Sequence, residues 1–168
     1  MGYLGAGSFA HVRKAIYNNQ IVALKIFDRQ SAKESDDFFK EVLELSRSNH
    51  ENIIKLFAYG LWRDKIDFFK CMVIEYAETG SLHSVLHDKK LEYTLGHSIS
   101  WLLQTARAVN YLHTRGPKPT IHRDLKPLNL LLMQGGTLLK VCDFGSACNL
   151  RTMMTVNKGT TCWISPEV

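Results

Sequence analysis

The chain lacks the features of a metal-stapled, disulfide-bonded, membrane-inserted or nucleic-acid-coating protein. Its four cysteines, Cys71, Cys142, Cys148 and Cys162, form no C-x-x-C pair and have no histidine at zinc spacing. That excludes a zinc ribbon and a disulfide framework, and a reducing, cytoplasmic location is expected. Nowhere do eighteen apolar residues follow one another, and MGYLGAGSFA has neither the charged start nor the apolar run of a signal peptide. Ala6 stands where N-myristoylation needs Ser or Thr, so no membrane partner is expected. Lysine and arginine number 21 against 16 acids, a formal charge of +5. These bases are scattered singly, with no run of five or six and no interleaved aromatic patch, which argues against nucleic acid. No repeat or low-complexity segment appears. What is present, 168 residues of which 45% are hydrophobic, suits one globular unit with a real core.

Hydrophobic periodicity divides the chain. Residues 1–76 read as short strands around one helix: a glycine turn, IVALKIF, the helical spacing of FFKEVLELSRS, then the strands NIIKLFAYG and CMVIEYA. Beyond Gly80 the period becomes helical, and LGHSISWLLQTARAVNYLHTR predicts a broad apolar stripe of Ile99, Leu102, Leu103, Ala106, Val109 and Leu112. LNLLLM and TLLKVC flank Gly135-Gly136, which predicts a hairpin with a two-residue turn.

Chemistry concentrates in four places. Gly5 and Gly7 supply two glycines of a G-x-G-x-x-G loop, whose bare backbone can approach phosphates; Ala10 replaces the third. Alone, the pair equally describes a glycine-bearing β-turn. In IVALKIF, Lys25 shares a strand face with Ala23, an apolar setting in which an ammonium needs a partner. On the following helix Glu41 falls within the stripe of Phe38, Val42 and Leu45, where an unpaired carboxylate is costly. A Lys25–Glu41 ion pair resolves both, holding Lys25 for the α and β phosphates of a nucleotide; the alternative is two residues that never meet. The run from His122 to Asn129, HRDLKPLN, is the most specific signal. Asp124 is placed to orient an attacking hydroxyl and take its proton, Lys126 to steady a γ-phosphate, and Asn129 to bind Mg²⁺. Asp143-Phe144-Gly145 adds the carboxylate that bridges metal to phosphates. Asp124, Asn129 and Asp143 are the oxygen donors that Mg²⁺ on ATP requires.

From the glycine loop through VALK, HRDLKPLN and DFG to SPE, the chain resembles a eukaryotic protein kinase. Lys126 and Gly159-Thr160 are similar to the serine/threonine-specific pattern. NHENIIKLFAYG, VIEYAETGSLHSVLH, GGTLLKVCDFGSAC and MTVNKGTTCWISPEV resemble the transforming-growth-factor-β-activated kinase group of MAP kinase kinase kinases. The resemblance implies an α+β, two-lobe fold. Residues 1–77 would form an N-lobe with an antiparallel sheet, one helix and the hinge, and residues 78–168 a helical C-lobe truncated after the activation segment. It implies ATP and Mg²⁺ as cofactors, a MAP kinase kinase as protein substrate and an activating subunit as a possible partner. Glu75, Tyr76 and Ala77 would offer backbone groups to adenine behind the gatekeeper Ile74, with Val12, Ala23 and Leu131 around the ring. Leu45, Leu56, His122 and Phe144 would form a stack; these apolar positions are equally well described as core. Cys142 would lie at the nucleotide pocket.

Thr152, Thr155 and Thr160 are the activation-loop hydroxyls the resemblance implies. Phosphate on Thr152 or Thr155 would pair with Arg123, whereas Thr160 would contact Asp124 and Lys126 as a structural hydroxyl. Ala10 and the SPE in place of APE depart from the family pattern. In the kinase family Glu167 pairs with an arginine of helices beyond the activation segment, helices that would also cover the apolar stripe. Two functions follow: a serine/threonine kinase of the MAP kinase kinase kinase tier, or a kinase-like module that binds nucleotide or a partner without phosphotransfer.

Overall fold

The computed structural model describes residues 2–6, 10–27, 32–64, 66–88, 92–149 and 160–163. They fall into two compact units, Met1–Ser48 with Ile54–Tyr76, and Asn49–Ile53 with Ala77–Val168.

The first unit is an antiparallel sheet with one helix. Its strands are β1 (Tyr3–Ala6), β2 (Ala10–Tyr17) and β3 (Gln20–Phe27), then β4 (Leu56–Asp64) and β5 (Asp67–Glu75), in the order β1-β2-β3-β5-β4. Between β3 and β4 lies α1 (Ala32–Ser46). Asn18 and Asn19 turn β2 into β3 with φ of 48° and 61°, the left-handed region that asparagine tolerates. The register places Lys25 opposite Met72 and Ala23 opposite Ile74 on one face. That face and the buried α1 residues Phe38, Glu41, Val42 and Leu45 account for much of this core, with Phe27 edge-on to Phe38 at 5.1 Å. The helical stripe read from FFKEVLELSRS is therefore the buried one, Glu41 included.

The second unit begins with β6 (Gly80–Ser81) and α2 (Leu82–His87), followed by the long α3 (Leu95–Thr114). Thr94 caps α3 through a reciprocal pair with His97: its hydroxyl accepts the His97 N–H while the imidazole Nδ1 accepts the Thr94 N–H. Then come β7 (Thr120–Ile121), the hairpin of β8 (Leu130–Met133) and β9 (Leu138–Val141), and β10 (Cys148–Asn149). β6, β8 and β9 form one sheet, and β7 pairs with β10. This topology matters for chemistry, because HRDLKPLN leaves β7 and enters β8, while CDFG leaves β9 and enters β10. Two pairings thus bring both loops to one place.

Three expectations differ from the structure. The α3 face turned inward is Trp101, Gln104, Ala108 and Leu112, whereas Ile99, Leu102 and Leu103 are exposed by half or more and Ala106 is also outward. Of the stripe read from sequence, Leu112 alone is buried, and Val109 is half-buried. The β8–β9 turn has four residues, because Met133 pairs with Leu138. Gln134, Gly135 and Gly136 take φ of 52°, 66° and 91°, a left-handed path that explains the adjacent glycines. The strand read over NIIKLFAYG starts only at Leu56.

The third difference has a polar cause. Asn52, 2% exposed, accepts the Val141 N–H on its carbonyl at 2.9 Å, while its side-chain nitrogen donates to the Leu139 carbonyl and to Gln104 Oε1. Gln104 Oε1 also accepts the Leu139 N–H at 2.8 Å, and its amide nitrogen donates to Ser100 and the Thr137 carbonyl. Ile53 bridges Val141, and the Asn49 N–H reaches the Tyr111 hydroxyl. Residues 49–53 are thereby stitched to α3 and β9, and Gln104 is buried because every one of its polar groups is used. Asn52→Ala strands the buried carbonyl of Leu139 and removes one of the two donors to Gln104 Oε1, which keeps the Leu139 N–H. It should lower stability by about 2 kcal/mol, seen as a lower denaturant midpoint with unchanged slope. Asn110→Ala on the exposed face of α3 should stay within about 0.5 kcal/mol of wild type.

Candidate active site

His122 opens the HRDLKPLN segment and is almost fully buried. Its Nε2 lies 2.9 Å from the Cys142 carbonyl, and its Nδ1 accepts the Asp124 N–H at 3.3 Å. A carbonyl can only accept, so the imidazole is neutral with its proton on Nε2. Burial pushes its pKa below the ordinary 6.5, in line with that tautomer, against the opposing pull of the Cys142 carbonyl and the Asp143 and Asp124 carboxylates. The ring meets Phe144 edge-on at 4.9 Å, and Phe144 is wholly buried. Of the expected four-residue stack, this pair is in contact; Leu45 and Leu56 belong to the other unit.

Asn129 completes a clamp on the same residue, Cys142. Its carbonyl accepts the Cys142 N–H at 2.9 Å, so Cys142 is gripped by Asn129 on one side and His122 on the other. The next residue, Asp143, is held at φ 63°, and Arg123 at φ 65°. For side chains other than glycine these left-handed conformations cost on the order of 1 kcal/mol or more and persist only where neighbours enforce them. Arg123 is tied down by its Nε, which donates to the Ser146 carbonyl at 2.7 Å.

The Asp124 carboxylate accepts four hydrogen bonds. Oδ2 accepts Lys126 Nζ at 2.8 Å and Asn129 Nδ2 at 3.0 Å. Oδ1 accepts the Thr160 N–H at 3.1 Å and the Thr160 hydroxyl at 2.8 Å. Lys126 Nζ also donates to that hydroxyl at 2.5 Å. Burial alone would raise the Asp124 pKa, but the hydrogen bonds from Lys126, Thr160 and Asn129 outweigh it and hold the carboxyl below its ordinary range. Thr160 thus sits where the sequence placed it, as a hydroxyl between Asp124 and Lys126.

Asn129 spends its amide nitrogen on the Asp124 carbonyl (2.8 Å) and carboxylate, which leaves the amide oxygen as its ligand atom. Asp143 contributes a half-buried carboxylate. Among the described residues no three His, Cys, Asp or Glu side chains cluster as a cage. One carboxylate with one amide oxygen is a donor set that fits Mg²⁺, which keeps waters and phosphate oxygens as its other ligands.

In the first unit Lys25 Nζ lies 2.7 Å from both Glu41 oxygens, and the Glu41 side chain is 3% exposed. Gly5 pairs with Val12 across β1 and β2, and a Cβ at Gly5 would meet nothing within 4 Å. Gly7 lies outside the described residues, as do Thr152, Thr155, Gly159 and the SPE segment. Ala10 is buried opposite Phe27, so its methyl packs into protein. Val12 is half-buried and Ala23 buried. Ile74 is buried, and the Glu75 N–H is taken by the Lys55 carbonyl at 2.9 Å. Glu75 therefore has no backbone donor to offer a ligand. In the second unit the Ala77 carbonyl accepts the Gly80 N–H, and Leu131 pairs with Ser81 and Lys140. Sequence reasoning missed the Asn129–Cys142–His122 clamp. Its only trace in the sequence is a histidine two residues before an aspartate, and its backbone partners carry no side-chain signature.

A histidine held neutral by burial makes stability pH-dependent. Its folded pKa lies below the unfolded value, so its contribution is complete above about pH 6.5 and is lost as pH falls toward the folded pKa. Thermal unfolding should show wild type losing stability between pH 7.5 and 5.5. His122→Phe, which keeps the ring against Phe144, should be less stable at pH 7.5 yet flatter over the same interval. Asp124 does not contribute to this slope, since its depressed pKa acts at lower pH.

Comparison with known proteins agrees with this geometry. The model of the protein kinase domain matches residues 1–168. The chain is 48% identical over 167 residues to mitogen-activated protein kinase kinase kinase 7 of Bos taurus, covering 98% of the chain and 28% of that relative. The Drosophila melanogaster protein of the same name is 45% identical over 166 residues, covering 98% and 24%. Mitogen-activated protein kinase kinase kinase mom-4 of Caenorhabditis briggsae is 41% identical over 121 residues, covering 71% and 21%. The chain spans less than a third of the length of each of these curated relatives. With its antiparallel sheet and single helix in one unit and its catalytic-loop and DFG segments in the other, the chain belongs to the protein kinase domain family.

Proposed function

We propose that the protein is a serine/threonine kinase of the MAP kinase kinase kinase tier, which transfers the γ-phosphate of ATP to a hydroxyl of a MAP kinase kinase. The observation that carries this reading is the Asp124 carboxylate, ionised and fixed by Lys126, Asn129 and Thr160. The similarity to MAP kinase kinase kinase 7 supports the tier and the substrate class.

In this reading the work is positioning and charge stabilisation, as suits a loose phosphoryl-transfer transition state. Lys25, steered by Glu41, holds the α and β phosphates, and the glycine segment with Gly5 and Gly7 covers them. Val12, Ala23 and Leu131 flank the adenine, while Glu75 and Ala77 line the hinge with their backbone. Since the Glu75 N–H is occupied, Tyr76 and Ala77 are the residues left to donate there. Asn129 and Asp143 hold Mg²⁺, which when bound neutralises charge on the phosphates.

Asp124 is a weak base because of its lowered pKa. It orients the incoming hydroxyl by accepting its hydrogen bond and takes the proton late, when the oxygen has become acidic by bonding to phosphorus. Lys126 stands beside it to balance the γ-phosphate. Thr160, bridging the two, links the residues before SPE to the catalytic loop, and phosphate on Thr152 or Thr155 would engage Arg123.

The intact protein, incubated with Mg²⁺, ATP and a MAP kinase kinase, should place phosphate on serine or threonine. Asp143→Asn and Lys25→Met should each lower that rate by more than about 100-fold, the scale of losing one charge-stabilising group. ATP binding with no turnover would instead establish the kinase-like binding module. Thr160→Val, which keeps the shape but not the hydroxyl, should reduce turnover more than Thr160→Ser; equal rates would remove Thr160 from the proposal.

A further inference from the structure

His83 and His87 of α2 take no part in the groups assigned above. Four residues apart, they project from one face of the helix. Their rings lie with centroids 4.2 Å apart and planes 19° from parallel. His87 Nδ1 is 2.8 Å from the His83 carbonyl oxygen. Because a carbonyl only accepts, Nδ1 carries the proton in this contact and the lone pair of the neutral ring sits on Nε2. A metal-binding imidazole has this form: one ring nitrogen donates to a backbone carbonyl, which fixes the tautomer and raises basicity, and the other is bare. The supporting backbone is secured at both ends, by the Ser81 cap on the Ser84 N–H and by the Asp88 N–H on the Ser84 carbonyl, with Val85 buried beneath.

We propose that His83 and His87 form a two-histidine site for a borderline divalent transition ion of the Zn²⁺, Ni²⁺ or Cu²⁺ class. Neutral imidazoles select these ions over Mg²⁺ and Ca²⁺, which take oxygen ligands. Bringing both rings to the usual metal–nitrogen distance of about 2.0–2.1 Å requires them to open around a shared ion. That is a side-chain rotation at a half-buried and an exposed position. No third His, Cys, Asp or Glu joins them as a cluster among the described residues, so water fills the remaining positions. The site is a chelate across one helical turn, weaker than a closed structural zinc site. α2 packs on the turn Pro127–Asn129 and on β6 and β8, so the ion ties down a helix that supports the segment carrying Asn129. Nothing in this proposal depends on phosphotransfer.

Titration calorimetry of the intact protein with Ni²⁺ and separately with Mg²⁺, in a non-chelating buffer at pH 7.5, tests it. Wild type and His113→Ala, an exposed histidine on α3, should bind Ni²⁺ alike. His83→Ala and His87→Ala should each weaken that binding at least tenfold, with unchanged far-ultraviolet circular dichroism. Mg²⁺ should not compete. Unchanged Ni²⁺ affinity in both α2 variants overturns the site, and loss in one variant alone overturns the chelate by showing a single-histidine contact.

Discussion

The backbone of Cys142 is the constraint on which the second unit is organised. Its N–H is held by the Asn129 carbonyl and its carbonyl by the His122 ring. Two loops far apart in sequence are thereby locked in register, and the residue after Cys142 has little choice of conformation. Asp143 accordingly occupies a left-handed φ that its side chain would otherwise avoid. The cost of that conformation is met by the surrounding bonds. Phe144, wholly buried against His122, adds the apolar contribution, because displacing it would expose a large aromatic surface. The clamp works only with a neutral imidazole, since protonating Nδ1 would set two donors, the ring and the Asp124 N–H, against each other.

That same requirement reaches Asp124. Its backbone N–H is spent on His122, so its carboxylate is presented from a fixed main chain, and Lys126, Asn129 and Thr160 then settle its direction. Donors that converge on a carboxylate stabilise its charge and weaken it as a base. For the phosphoryl transfer proposed above a strong base is not needed, since the hydroxyl becomes acidic only as its oxygen bonds to phosphorus. Orientation is needed, and four donors supply it. Lys126 and Thr160 form a closed triangle with Asp124, so a movement of the segment around Thr160 is felt directly at the carboxylate.

How much of this was legible beforehand depended on whether side chains or main chain carry the interaction. HRDLKPLN and DFG were readable because their residue types and spacing are those of the protein kinase domain that the chain matches, and the Lys25–Glu41 contact because an isolated charge in an apolar pattern demands a partner. The face of α3 was misread because counting apolar residues favours Ile99, Leu102 and Leu103. The helix instead turns inward along Trp101, Gln104 and Ala108, where Trp101 donates to the Gly136 carbonyl and Gln104 satisfies Leu139 and Thr137. Burial there follows from polar satisfaction across more than thirty residues of sequence, which no local period encodes. Asn52 is the same case at longer range, its partners lying 52 and 87 residues away. The β8–β9 turn was recognised by its glycines, but its length is set by the Met133–Leu138 register, a pairing that only the folded sheet defines.

The Lys25–Glu41 pair places the opposite demand on the first unit. A buried ion pair adds little net stability, because desolvating both charges offsets most of their attraction, yet removing one partner leaves a stranded charge costing about 3–5 kcal/mol. Glu41 is nearly inaccessible and accompanied in α1 by Phe38, Val42 and Leu45, so an unpaired carboxylate there would have to drag the helix toward water or take up a proton. A helix held by apolar contacts alone could slide or rotate by a fraction of a turn at small cost, since hydrophobic burial is non-directional. With both Glu41 oxygens 2.7 Å from one ammonium, such a shift breaks a charged contact at once. The pair therefore converts the position of α1 into the position of Lys25 Nζ. The Lys25 ammonium is placed by the packing of a whole helix rather than by its own flexible stem, as the proposed contact with phosphates would require.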